Sequence, residues 1–247
     1  MKVIFHRDFY RVYASDPAAA PGRMEAVIKY LGDRFDLLPA VAAEPEDIEA
    51  VHSADHIAHV CQEGLYNIAA LAAGGAVQAA VLGLKEPAFA LIRPPGHHAS
   101  RNSAWGFCYF NNMAVALTHL LANGRIQTAA VLDFDLHYGD GNVNILSESG
   151  VVDIYNPDSN DRNAYLRGVE AFLHDRQVDI IGISAGFDNH EEDWGGLLAT
   201  DDYFVMGQMV KEKAQKTGAG YFGILEGGYN HRVLGQNVLA LIDGMSA

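Results

Sequence analysis

Short apolar runs recur along the chain and alternate with longer stretches of helical character. The runs are continuously apolar, which is typical of strands buried on both faces. They lie at 2–5, 88–93, 128–134, 151–155, 178–184 and 220–225. The stretches between them predict helices at 22–32, 54–62, 68–84, 111–123, 161–175, 201–217 and 231–244. This alternation predicts an α/β fold, in which a mostly parallel central sheet carries helices on both faces.

The chain reads as one domain over residues 1–247. No linker, internal repeat or change of composition divides it. A chain of 247 residues is long enough to bury a large core.

Polar segments follow four of the predicted strands. They read "RPPGHH", "DFDLHYGDG", "SAGFDNH" and "LEGGYN". In open parallel sheets, ligands bind where strands end at their carboxyl termini, near the point where the strand order reverses. We therefore expect the four segments to meet at one edge of the sheet.

Charge and composition narrow the class of partner. The formal net charge of −14 argues against non-specific nucleic-acid binding and is compatible with a cationic substrate. The uncharged run at 67–84 is shorter than the roughly 20 apolar residues of a membrane span, and a buried helix is the better interpretation. The first ten residues lack the features of a secretory signal. With Cys61 and Cys108 at no paired spacing, we expect a cytoplasmic protein without disulfides.

Two carboxylates and an imidazole form a candidate metal site. Asp135, His137 and Asp188 follow buried-strand patterns. At the period of two residues that a strand imposes, Asp133, Asp135 and His137 share one face. Buried carboxylates are costly unless they are paired or bind a metal. Such a set suits a divalent cation, most simply Zn²⁺ with an open coordination position.

The remaining polar residues of these segments supply acid–base chemistry. His97 and His98 are candidate bases beside a metal-bound water, and Asp133 and Asp140 are candidates to orient the rings. Tyr229 follows a Gly-Gly turn and could donate its hydroxyl to a developing oxyanion. Together with a metal, these groups predict metal-assisted amide hydrolysis.

Five motifs in order resemble those of a known family. "RPPGHHA", "WGFCYFNN", "DFDLHYGDG", "ISAGFDNH" and "LEGGYN" are similar to the motifs of the histone deacetylase and acetylpolyamine amidohydrolase superfamily, in its bacterial and archaeal branch. The resemblance spans residues from about 21 to 231. It implies an arginase-like fold and zinc-dependent deacetylation.

The resemblance also implies particular roles. By motif position the zinc ligands are Asp135, His137 and Asp188, the same residues as in the candidate metal site. Fe²⁺ or Co²⁺ in place of zinc would also support turnover. His98 is the principal general base and then acid, His97 gives electrostatic help, and Tyr229 polarises the acetyl carbonyl. A structural K⁺ would bind carbonyls of the "DFDLH" segment with a contribution from Asp133.

Three further residues are assigned to the substrate channel by the same resemblance. Gly106 and Phe107, in "GFC", correspond to one channel wall. Arg23, in "PGRMEA", is similar to the arginine beside the acetate-release pocket.

The chain departs from the family around the mouth of the site. The segment between Asp140 and Asp188 is shorter than in relatives that act on peptides, and the loop that would supply a substrate-gripping aspartate is missing. Trp194 stands where proline is usual, and Gly195 falls near the gate position. This trimmed rim favours small acetylated amines, such as acetylpolyamines, over peptides. Because trimmed rims are sometimes completed by a neighbouring subunit, we expect a homo-oligomer.

Other functions remain open from the sequence. A protein acetyl-lysine deacetylase of the same family would use the same chemistry, and a non-catalytic relative would bind acylated ligands without turnover. An arginase-type dimanganese hydrolase would need more Asp and His ligands than "DFDLH" offers.

Several residues invite a function but are predicted to be structural or peripheral. His52 and His56 have the spacing of a zinc-binding helix, but Ser53 replaces the glutamate that such a motif requires. Cys108 is predicted to be a small buried residue, and Glu226 to support the turn that carries Tyr229. Trp105 is expected at the rim. The other histidines are expected at the surface or packed, with His190 the nearest to the site; they are His6, His59, His119, His174, His190 and His231.

Overall fold

A computed structural model describes residues 1–174 and 176–246. The described residues form one sheet of seven strands in the order β2-β1-β3-β7-β6-β4-β5, with every neighbouring pair parallel. The strands are β1 (Lys2–Phe5), β2 (Asp36–Pro39), β3 (Ala88–Ala90), β4 (Ala129–Asp133), β5 (Val152–Tyr155), β6 (Ile180–Ala185) and β7 (Gly220–Leu225). The predicted helix end at 175 and the predicted domain end at 247 lie outside the described residues.

Nine α-helices accompany the strands in the described part of the chain. They are α1 (Arg23–Leu31), α2 (Pro45–Val51), α3 (Ala54–Gln62), α4 (Tyr66–Gly83), α5 (Asn112–Ala122), α6 (Asp140–Leu146), α7 (Arg162–His174), α8 (Thr200–Thr217) and α9 (Leu234–Ser246). Every strand and helix predicted from the sequence is present, with bounds that differ by at most three residues.

Helices cover the centre of the sheet on both faces. Every residue of β4 and β6 is buried, as expected for strands with apolar side chains on both sides. The helices form two groups: α4 packs with α5 and against β1, β3 and β7, whereas α8 packs with α9 and α7 and against β6 and β7. The predicted α/β architecture is therefore confirmed.

Three elements were not predicted from the sequence, and each has a local reason. β2 is an exposed edge strand of four residues, so it lacks a buried-strand pattern. α2 is short and begins at Pro45, which suits the first turn of a helix. α6 reads "DGNVNIL" and is rich in poor helix formers. Its buried Asn142 is hydrogen bonded to residues of other segments, so tertiary contacts stabilise this helix.

α4 is long and apolar because it is a core helix. Its 18 residues meet the length and hydropathy expected of a membrane span, but 56% of that stretch is buried inside the protein. Gly74 and Gly75 let the helix approach its neighbours, since a Cβ at Gly74 would collide with the backbone of residues 41–43.

Candidate active site

The four polar segments meet at the carboxyl edge of the sheet. They follow β3, β7, β6 and β4, which are adjacent strands. After β3 the chain crosses two strand positions to reach β4, and β7 and β6 later fill the gap. This is the reversal of strand order at which ligands bind in open α/β sheets.

Asp135 and His137 lie beyond the end of β4, in an irregular segment. The expectation that Asp133, Asp135 and His137 share one strand face is therefore wrong, because the strand ends at Asp133. The segment is held by its own polar atoms: the His137 backbone N–H donates to Oδ1 of Asp135 at 3.0 Å. From the β7 loop, the Gly227 N–H donates to Oδ2 of Asp135 at 2.8 Å.

Asp135, His137 and Asp188 nevertheless converge, with ligand atoms all within 4.8 Å of one another. Nδ1 of His137 lies 3.2 Å from Oδ1 of Asp135 and 3.0 Å from Oδ2 of Asp188. Zn–N and Zn–O bonds of about 2.0–2.2 Å at a tetrahedral angle place neighbouring ligand atoms roughly 3.3–3.6 Å apart. The measured separations are close to this range, so the triad is shaped for a small divalent cation.

The electrostatics of the triad also fit a cation. Burial, and then the neighbouring charge of Asp135, raise the pKa of Asp188 to about 6. Hydrogen bonding to Asp135, and then to Asp188, raises the pKa of His137 to about 10. Oδ2 of Asp188 is buried, and Nδ1 of His137 lies close to it. Two buried carboxylates held this close to one imidazole are what a divalent cation would satisfy.

His97 and His98 both turn toward this triad, with ring centroids 4.0 Å apart. Nδ1 of His97 lies 3.3 Å from Oδ2 of Asp133, and its Nε2 lies 3.7 Å from Oδ1 of Asp135. Burial opposes a charge on His97, but Asp135 and then Asp133 outweigh it and hold its pKa well above the usual value. The neighbouring carboxylates therefore favour the charged form of the His97 imidazole.

His98 has the opposite electrostatic character. Its Nδ1 lies 2.7 Å from Oδ1 of Asp140. Burial, and then the charge of His97, lower the pKa of His98 to about 4. The contact with Asp140 assigns the ring proton to Nδ1, which leaves Nε2 able to accept a proton. Neighbouring groups with pKa values pushed apart are typical of acid–base sites.

Buried polar residues support the histidine loop from below, and sequence reasoning missed most of them. Oε2 of Glu226 accepts the N–H groups of Gly96 at 2.7 Å and His97 at 3.3 Å. The expectation that the Glu226 side chain supports the Tyr229 turn is wrong, because it reaches the β3 loop instead. Asn142 donates to Oδ2 of Asp133 at 2.9 Å. A polar residue directly after a buried-strand pattern, such as Glu226, indicates a supporting hydrogen-bond partner. The sequence does not say which segment that residue contacts.

Tyr229 is positioned by its backbone and by aromatic contacts. Asp193 accepts the N–H of Tyr229 at 2.8 Å, a contact that sequence reasoning did not foresee. The Tyr229 ring lies 4.2 Å from Trp194 and 5.8 Å from Phe107 between centroids. Burial, and then Asp135 and Asp188, raise the pKa of Tyr229 far above its usual value. The phenol is therefore a stable hydrogen-bond donor.

Gly106 and Phe107 form a turn at the mouth of the site. Both adopt positive φ, +59° and +68°. A Cβ on Gly106 would collide with the imidazole of His98, so only glycine fits. A bulky residue at positive φ is strained, and such strain is found at functional sites. The turn directs the Phe107 ring edge-to-face at Tyr229.

Arg23 lies behind Tyr229 and is fully buried. Its Nε donates to the carbonyl of Gly228 at 2.9 Å and its Nη2 to that of Glu226 at 2.6 Å. Nη1 of Arg23, Nε of Arg93 and the hydroxyl of Tyr13 are buried and have no hydrogen-bond partner among residues 1–174 and 176–246. Three unsatisfied donors in one region favour an anion.

A second group of metal-ligating types lies beneath the site. His97, Cys108 and Glu226 are all buried and have ligand atoms within 4.8 Å of one another. Glu226 already accepts two backbone N–H groups, and His97 is paired with Asp133. Burial, and then Glu226, raise the pKa of the Cys108 thiol well above its usual value. Cys108 is thus the small buried residue that was predicted, and this group is a poorer cation site than the triad.

His52 and His56 are structural, as predicted. Nδ1 of His52 lies 3.0 Å from the Ser100 carbonyl, and its Nε2 accepts the N–H of Asn111 at 2.9 Å. His56 contacts the Tyr109 carbonyl at 2.7 Å. His190 is buried and packed: its Nδ1 accepts the N–H of Glu192.

We expect His52 to make the fold sensitive to acid. Burial, and then His56, lower the pKa of His52 to about 3. The unfolded chain takes up a proton near pH 6.5 whereas the folded chain does not, so the free energy of unfolding falls as pH drops from about 6.5 toward 3. In His52→Gln this dependence should be shallower by about 1.4 kcal/mol per pH unit between pH 6 and 4. Denaturant titrations of both proteins measure it, and equal slopes would contradict it.

Comparisons with known proteins place these features in a family. Residues 18–165 match the histone deacetylase domain. A probable deacetylase of Methanothermobacter thermautotrophicus is 28% identical over 98% of this chain and 90% of its own length. Polyamine deacetylase HDAC10 of Mus musculus is 27% identical over 97% of this chain and 47% of its own length.

The fold agrees with that of a solved structure. The HD domain of HDA15 superposes with a TM-score of 0.82 at 24% identity, covering 98% of this chain and 88% of that domain. The expected arginase-like fold is therefore confirmed. Because the domain match extends over more than half of the sequence, this chain belongs to the histone deacetylase family of deacetylases and amidohydrolases.

Proposed function

We propose that this protein is a zinc-dependent amidohydrolase that removes acetyl groups from small amines. The observation that carries the proposal is the convergence at one sheet edge of three groups of residues. These are the Asp135–His137–Asp188 triad, the two histidine–aspartate pairs and Tyr229. Together they supply the parts that metal-assisted amide hydrolysis requires.

Asp135, His137 and Asp188 would hold the metal. Bound Zn²⁺ would polarise the acetyl carbonyl and lower the pKa of the attacking water. Fe²⁺ or Co²⁺ would suit the same oxygen and nitrogen donors. The K⁺ implied by the "DFDLH" segment stays a prediction.

The two histidines divide the work according to their environments. His98, with Nε2 able to accept, takes the proton of the attacking water and returns it to the amine nitrogen as the amide C–N bond breaks. Asp140 stabilises the resulting imidazolium. His97, paired with Asp133, gives electrostatic help beside the attacking water.

Tyr229 supplies the remaining group of the proposed site. Its hydroxyl would donate to the carbonyl oxygen as negative charge develops there. The product carboxylate would meet the unsatisfied donors of Arg23, Arg93 and Tyr13 behind this residue. Those donors support a release path for acetate.

The surroundings of the mouth support a substrate with a cationic end. An open cavity of about 290 Å³ lies beside Phe107 and Trp105 and is lined by Asp16 and Glu63. Carboxylates attract an ammonium ion. HDAC10 of Mus musculus, one of the relatives, is a polyamine deacetylase. We therefore favour an acetylated di- or polyamine over a peptide.

Acetate release tests the proposal. Zinc-loaded protein should act on N-acetylputrescine or N-acetylspermidine with a kcat/KM about tenfold or more above that for an acetyl-lysine peptide, a difference of about 1.4 kcal/mol. N-butylacetamide, which lacks the distal ammonium, is the matched control and should be the poorer substrate.

Other outcomes would separate the alternatives. Preference for the peptide would retain the chemistry and make the protein an acetyl-lysine deacetylase. Equal rates with N-butylacetamide would contradict recognition of the cation. No acetate from any substrate, with the metal bound, would favour a non-catalytic protein that binds acylated ligands.

A further inference from the structure

Trp105 contacts both members of the His98–Asp140 pair. Its indole ring stacks on the His98 imidazole, with centroids 3.7 Å apart and planes 29° apart. Its Nε1–H donates to Oδ2 of Asp140 at 2.9 Å. Because Oδ1 of Asp140 lies 2.7 Å from Nδ1 of His98, the three side chains close a triangle.

The carboxylate of Asp140 needs this second contact more than that of Asp133 does. The Asp133 side chain is fully buried and is fixed by Asn142. The Asp140 side chain is 34% exposed, so water could compete for its second oxygen. The Nε1–H of Trp105 donates to that oxygen. Trp105 therefore fixes the carboxylate of Asp140 beside His98, as Asn142 fixes that of Asp133 beside His97.

The local backbone builds this contact. Trp105 precedes the turn at Gly106, where a Cβ would strike the His98 ring. The turn therefore lies directly against His98. Trp105 is itself 54% exposed, an unfavourable place for a large apolar ring that served only packing.

We propose that Trp105 is a positioning residue for the general base: it fixes Asp140 through one hydrogen bond and supports His98 through its ring face. The inference rests on the proposed function, in which His98 takes a proton. As His98 becomes an imidazolium, the indole face stabilises that charge. The charge is present only during the reaction, so the effect belongs to kcat rather than to KM.

Two variants separate the parts of the contact. Trp105→Phe keeps a ring over His98 but loses the N–H donor, and we expect kcat to fall about tenfold. Trp105→Ala loses both, and we expect a fall of about a hundredfold. KM should stay within about twofold and the bound zinc should not change. A kcat within twofold of wild type for Trp105→Ala would overturn the proposal, as would a change confined to KM.

A measurement independent of turnover keeps the two proposals distinguishable. In the zinc-loaded protein, the His98 Nδ1–H proton should give a downfield NMR signal, assigned by its loss in His98→Ala. In Trp105→Ala this proton should exchange with water and broaden. Loss of the signal in a protein that releases no acetate would uphold the role of Trp105 and reject the deacetylase function. A signal unchanged in Trp105→Ala would reject the role of Trp105 whatever the activity.

Discussion

Asp188→Ala should lose the metal and, with it, all measurable deacetylation. Asp188 is fully buried, and its Oδ2 lies 3.0 Å from Nδ1 of His137. Removing one of three ligands leaves too few donors to retain zinc. Metal analysis after dialysis should give about one zinc per chain for wild type and close to none for the variant. Asp201→Ala, which removes an exposed carboxylate on α8, is the matched control and should bind zinc normally.

Stability separates loss of a ligand from loss of the fold. The pKa of Asp188 is raised to about 6 in the folded protein, so its contribution is lost as pH rises from about 4 through 6. At pH 7 without metal, the ionised group therefore destabilises the fold. Asp188→Asn without metal should melt at or above the temperature of metal-free wild type. A large drop in melting temperature would indicate that the variant misfolds, and full zinc retention by Asp188→Ala would contradict the ligand assignment.

Tyr229→Phe should bind zinc normally but lose about 10²–10³-fold in kcat, as expected for removal of an oxyanion donor. Phenylalanine can keep the ring contacts with Phe107 and Trp194, so the fold should not change. Since the phenol stays protonated across the accessible pH range, the wild-type rate should show no basic limb that disappears in the variant. Steady-state rates with N-acetylspermidine measure the effect, and retention of more than half the activity would exclude Tyr229 from catalysis.

Much of the fold was predictable because its signals are local. Continuous apolar runs at β4 and β6 reflect burial on both faces, and they predicted the centre of the sheet correctly. β2 and α6 carry no such signal, since one is an exposed edge and the other is held by contacts of Asn142 with other segments. Where stability comes from tertiary contacts, local propensity does not reveal the element.

Residue order and type along the chain establish which side chains stand at the ends of the central strands, and these side chains indicate the class of chemistry. The packing of the strands and loops in space sets which of these side chains meet. Asp135 and Asp188 are 53 positions apart in the chain, but both carboxylates contact Nδ1 of His137. Trp105 reaches Asp140 across 35 positions, and Glu226 supports the His97 loop rather than its own turn. Such pairs depend on how distant backbones are placed in space, and residue order and periodicity do not contain that information.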